Sequence, residues 1–163
     1  MKTLYLVRHA KSSWKDSSLD DIERPLNKRG KRDAPFMGEL LSEKGIKPNV
    51  MFSSPAKRAS KTAQAIAEQI GYPKNDIIFD EAIYEASSRE LVDFIKKIDD
   101  QYNSVMIFGH NPGFTMLNNF LSKEYIDNLP TCGVIALEFN SSWKDIDKNS
   151  AKVLFFDYPK RYM

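Results

Sequence analysis

Histidine is scarce in this 163-residue chain, which holds two, and cysteine is scarcer, with Cys132 alone. A lone cysteine closes no internal disulfide and forms no Cys-x-x-Cys pair, and two histidines leave a zinc site short of ligands, so no metal is expected. No apolar run approaches the roughly 20 residues that cross a bilayer. The segment Met1–Leu4 leads into no export-type apolar stretch, and a reducing cytoplasm is the expected compartment. Charge is balanced as well: 24 Lys and Arg stand against 22 Asp and Glu, a net +2. That balance gives no long-range field calling for nucleic acid, so an anion has to be recognised locally. Repeats, linkers and low-complexity tracts are missing too, and oligomeric state is left open.

What is present is a chain able to bury one core. With 42% hydrophobic residues, including ten phenylalanines, seven tyrosines and two tryptophans, residues 1–163 are expected to form a single domain. Thr3–Val7, Val50–Phe52 and Val105–Phe108 are continuous apolar runs, the pattern of parallel strands covered on both faces. Between and after them lie helical patterns at Asn27–Glu43, Pro55–Ile70, a segment capped by Ser88, and Pro112–Leu121. Ser54 and Pro55 mark the start of the second helix, and Gly71 with Pro73 its end. Pro35 and Gly38 predict a kink or break in the first. Val134–Phe139 and Lys152–Tyr158 read as closing strands joined by an exposed loop over Asn140–Ser150. Alternating strands and helices predict an α/β fold of three layers, with a mostly parallel central sheet and helices on both faces.

Each histidine follows an apolar run, in Leu6-Val7-Arg8-His9 and in Ile107-Phe108-Gly109-His110. A third strand runs into Ser53-Ser54-Pro55-Ala56-Lys57-Arg58. If the strands are parallel, their carboxyl ends share one edge of the sheet, and Arg8, His9, Arg58 and His110 surround a single crevice. Two guanidinium forks and two imidazoles suit an anion with several oxygens, phosphate above all. An unprotonated imidazole is also a nucleophile toward phosphorus, while arginines stabilise charge on the equatorial oxygens.

Arg8-His9-Ala10 resembles the Arg-His-Gly/Ala signature of the histidine phosphatase superfamily, the phosphoglycerate mutase-like group. Arg24-Pro25-Leu26-Asn27-Lys28-Arg29-Gly30, the Ser53–Ala59 segment with Thr62-Ala63, and Gly109-His110-Asn111-Pro112-Gly113 follow in the family order. With the short chain, they resemble the SixA branch of phosphohistidine phosphatases. The resemblance covers the whole chain and implies a cofactor-free, metal-independent reaction. His9 would attack phosphorus and carry it as phosphohistidine, with Arg8, Arg58 and His110 binding the phosphoryl oxygens.

Glu85, in Ile83-Tyr84-Glu85-Ala86-Ser87, is the candidate acid for the leaving group; Glu81 lies close by, and members of the SixA branch can lack this acid. Arg24, Ser12 and Asn111 are candidates for an outer ring of contacts. The substrate implied is a phosphorylated protein carrying phosphohistidine. A small phosphate ester hydrolysed by the same site is the alternative, and a phosphoprotein-binding module without turnover the second.

Overall fold

The structure, a computed structural model, describes residues 1–163. Its elements are β1 (Lys2–Arg8), α1 (Lys28–Glu43), β2 (Val50–Ser53), α2 (Lys57–Ile70), β3 (Ile78–Phe79), α3 (Ser88–Lys96), β4 (Ser104–Gly109), α4 (Gly113–Leu121), β5 (Val134–Phe139) and β6 (Ala151–Asp157). One sheet runs in the order β3-β2-β4-β1-β5-β6. The pairings β2/β3, β2/β4 and β1/β4 are parallel, and β1/β5 and β5/β6 antiparallel, so the sheet is mostly parallel with an antiparallel edge.

Side chains of successive strand residues point to opposite faces, and the chain uses both. Leu4, Leu6, Val105 and Ile107 face Leu91, Ile95, Phe114 and Leu117 of α3 and α4. Val7, Met106 and Phe108 face Met37, Leu41, Ala63 and Ile66 of α1 and α2. These two cores make the three expected layers. No helix is long and apolar enough to cross a membrane.

Several details depart from the sequence reading. α1 runs unbroken through Pro35. A Cβ at Gly38 would lie 2.8 Å from Gln69 Cβ and 3.1 Å from Ile66 Cα, so this glycine serves close packing of α1 on α2. α2 starts at Lys57 behind Ala56, and the Ser54 hydroxyl accepts the Ala56 N–H ahead of the helix at 3.2 Å instead of capping it. α3 is capped by Ser87, whose side chain and that of Glu90 complete a capping box. The stretch 140–150 is not simply exposed: Trp143 is fully buried, and its indole N–H donates to the Tyr102 carbonyl at 2.7 Å. The two-residue edge strand β3, too short to carry a period, had no sequence signal.

Candidate active site

The register of the two central strands brings the histidines together. Arg8 of β1 lies opposite Gly109 of β4, so His9 and His110 both emerge at the same sheet edge. The His9 N–H donates to the Gly109 carbonyl at 3.0 Å, and the rings stand 5.3 Å apart at 50°. β2 ends alongside, where the Ser54 N–H donates to the Phe108 carbonyl at 3.0 Å.

The Arg24–Gly30 segment holds the loop after His9. Ser12 bridges to Leu26, the Ser13 N–H donates to Pro25 O at 2.8 Å, and the Asn27 N–H donates to Lys11 O at 2.9 Å. The Asn27 side chain then caps α1 by accepting the Gly30 N–H at 2.8 Å. A Cβ on Gly30 would lie 2.1 Å from Lys11 O, so only glycine lets α1 meet the loop this closely. Thr62 of α2 ties the third side, accepting the Ala10 N–H at 2.9 Å and donating to Arg58 O at 2.7 Å.

Electrostatics keep both imidazoles neutral. Burial, with the positive charges of Arg58 and Arg8 and the neighbouring His110 acting in the same direction, pulls His9 down to about 3. Burial and Arg58 pull His110 down to about 4. In the neutral ring His9 Nδ1–H donates to the Ala10 carbonyl at 2.7 Å, which leaves the Nε2 lone pair free. Ser54 Oγ already accepts the Ala56 N–H at 3.2 Å and lies 2.8 Å from His110 Nε2. With the Ser54 hydroxyl donating to Nε2, the His110 proton stands on Nδ1, the nitrogen that has no partner.

The arginines converge on the same space. Arg8 Nη1 donates to the Leu129 carbonyl at 2.9 Å. Arg58 is held by Asp21, through Nη1 to the main-chain carbonyl at 2.7 Å and Nη2 to Oδ2 at 2.9 Å. Asp21 also takes Arg24 Nε at 3.2 Å and the Tyr84 hydroxyl. Under these donors its carboxyl falls to about 2, although partial burial opposes the shift. Arg24 lies beneath the Trp14 indole, 3.4 Å from guanidinium carbon to ring centroid. Trp14 itself is 75% exposed.

Four buried nitrogens on these side chains have no partner: Arg8 Nε, Arg24 Nη1, Arg58 Nε and His110 Nδ1. Buried donors are nearly always paired, so four orphans on four neighbouring cationic or imidazole groups mark a place built for an acceptor. The side chains carrying them, with His9, line one cleft of about 240 Å³.

A family model for the histidine phosphatase superfamily (branch 1) matches residues 4–104. The chain belongs to that superfamily. An uncharacterized Arabidopsis thaliana protein named as chloroplastic is 33% identical over 88% of this chain and 70% of its own length. A SixA structure from Agrobacterium tumefaciens, itself named as a candidate phosphohistidine phosphatase, is 27% identical. It superposes with a TM-score of 0.80 over 97% of this chain and 98% of that one. The protein histidine phosphatase SixA in complex with tungstate shares the fold at a TM-score of 0.85 over 99% of both chains, with 15% identity.

Within this histidine phosphatase cleft, Arg8, His9, Arg58 and His110 meet as the strand ends implied, and Ser12, Arg24, Glu85 and Asn111 complete its walls. Glu85 is exposed and sits at φ 52°, a left-handed conformation costly for a side chain that is not glycine. Glu81 lies outside the cleft, in the turn Glu81–Ile83. The Asn111 side chain is committed to Asn128, Leu129 and Thr115, and so steadies the carbonyl that receives Arg8. Sequence reasoning missed Asp21, Ser54 as a partner of His110, Trp14 and Thr131. The tandem Ser53-Ser54 beside a strand end was the available signal for Ser54; Asp21 had none, lying in a loop of mixed charge.

Proposed function

We propose that the protein is a phosphohistidine phosphatase acting on a phosphorylated protein, through His9 as nucleophile. The observation that carries this reading is one cleft lined by a neutral His9, with its Nε2 free, and by four side chains that each carry an unpaired buried nitrogen. His9 Nε2 forms a bond to phosphorus as the bond from phosphorus to the substrate imidazole nitrogen breaks, and that nitrogen takes up a proton. Water then attacks the phosphoryl group on His9, gives up a proton, and leaves inorganic phosphate and the free ring. Arg8, Arg58 and His110 Nδ1–H hold the equatorial oxygens through both steps, and Arg24 supplies a further donor. No metal or other cofactor is assigned a part.

Glu85 at the mouth of the cleft favours a second reading, hydrolysis of small phosphate esters, because an alkoxide leaves poorly without a proton donor. A protonated imidazole needs that help less. A binding module without turnover is the weakest reading, since it gives no work to the bare Nε2 of His9. Cys132, a lone buried thiol pushed up by burial, suits action in a reducing compartment.

The deciding experiment is phosphate release from a phosphohistidine peptide and a panel of small phosphate esters, with EDTA present, for the wild type and His9→Ala. Preference for the peptide and loss of turnover in His9→Ala support the proposal. Preference for an ester moves the protein to the second reading, and turnover that survives His9→Ala removes the nucleophile.

A further inference from the structure

We propose that the basic groove between α1 and α2, continued by Pro25 and Leu26, is a docking surface for an acidic face of the protein substrate. It rests on the reading of the protein as a phosphatase with a protein substrate, and it adds which kind of protein surface is recognised. Two joined hollows, sharing Pro25, Leu26 and Lys31, run beside the catalytic cleft. Lys15, Lys28, Lys31, Lys57 and Lys61 line them, all exposed and none in an ion pair. The one carboxylate in the hollows is Glu68, paired with Lys74 at 3.7 Å. In a chain with a net charge of only +2, this is a local separation of charge.

Helix stability does not account for it. Lys28 and Lys57 are the first residues of α1 and α2, followed by Arg29 and Arg58, and neither first turn holds an acid. Cations at a helix N-terminus oppose the dipole, and the first turn of α3 shows the favourable alternative with Glu90. Both amino ends therefore add their positive poles to the lysines, and α2 also sends Arg58 into the cleft.

The floor between the lysines is aliphatic, from Pro25, Leu26, Ala34, Pro35 and Ala65. It offers no aromatic face on which a nucleic acid base would stack. Methylene-bearing Asp and Glu side chains on a protein surface match both the charge and the floor. Such a surface would be steered to the cleft by charge and held beside it while the phosphoryl group enters.

The test measures binding of a fluorescent, unphosphorylated peptide rich in Asp and Glu, beside its Asn and Gln counterpart, by anisotropy at about 0.05 to 0.3 M salt. The proteins are wild type and the fourfold variant Lys28→Glu, Lys31→Glu, Lys57→Glu, Lys61→Glu. The wild type is expected to bind the acidic peptide at least about tenfold more tightly than the neutral one, with affinity falling as salt rises. The variant is expected to lose that preference while keeping its kcat on saturating p-nitrophenyl phosphate within about twofold of the wild type. Its melting temperature should be unchanged or higher, because glutamates suit those helix ends. A matching fourfold Lys→Ala variant gives the same reading should the glutamate form fail to fold. Equal affinity for the two peptides, an unchanged preference in the variants, or tighter binding of a single-stranded oligonucleotide overturns the proposal. Because this peptide carries no phosphate, failure on phosphohistidine substrates is a separate result that touches only the reaction proposed above.

Discussion

Asp21 grips Arg58 twice, by its main-chain carbonyl at 2.7 Å and by its carboxylate at 2.9 Å, so an acid sits directly behind a guanidinium aimed at an anion site. The carboxylate repels the bound anion and, at the same time, keeps the fork of Arg58 oriented. In Asp21→Ala the two losses offset each other in binding but not in the transition state. The expected result is a kcat lower by about tenfold with KM within about twofold. A raised KM at unchanged kcat would show that Asp21 serves binding alone.

Under the proposed reaction, Ser54 acts through His110. Without its hydroxyl, His110 Nε2 has no donor and the ring is free to adopt the tautomer with a bare Nδ1 toward the cleft. Ser54→Ala is expected to lower kcat by about tenfold, and Ser54→Thr, which keeps the hydroxyl, to restore most of it. Equal rates for all three proteins would assign Ser54 to packing.

Stability should fall in mild acid because of the buried rings. Histidine ordinarily titrates near 6.5, but His9 is held at about 3 and His110 at about 4. Between about pH 6.5 and 4 the unfolded chain takes up protons that the native rings refuse, so native stability declines as pH falls through that window and is whole above it. Urea unfolding at pH 7, 6 and 5 measures this, and His9→Asn with His110→Asn should flatten the decline. An identical slope in the double variant would count against it.

Gly30→Ala tests the contact between α1 and the loop after His9. A Cβ 2.1 Å from Lys11 O has to push backbone against backbone. A cost of about 1–3 kcal/mol is expected, read as a melting temperature lower by roughly 2–12 °C. Phosphatase activity should fall further than stability does, since the loop carrying Lys11 and Ser12 follows His9 directly. Wild-type melting behaviour would mean that the loop yields freely.

The strands, helices and the meeting of Arg8, His9, Arg58 and His110 were legible because they follow from local patterns: continuous apolar runs, and polar residues at their carboxyl ends. What was hidden depends on contacts between distant segments. Pro35 signals a break, yet packing of Gly38 against α2 keeps α1 whole. Trp143 lies in a polar stretch, and its burial is set by Phe139 and the Tyr102 carbonyl. Asp21 meets Arg58 across 37 residues of sequence, a pairing that no local spacing encodes.

His9 and the groups around it are anchored very differently. His9 leaves a strand hydrogen-bonded on both sides, by β4 and by β5, in the interior of the sheet. Asp21, Arg24 and Trp14 belong to a loop fastened near Ser12 and Leu26 and, through Asp21, to Arg58 and Tyr84. Amide exchange at His9, whose N–H is bonded to the Gly109 carbonyl beside the sheet, is expected to be slower than exchange in the loop outside it. Under the proposed reaction, such a division would let the loop be rewritten by mutation, and the substrate changed with it, while His9 Nε2 stays where the sheet puts it.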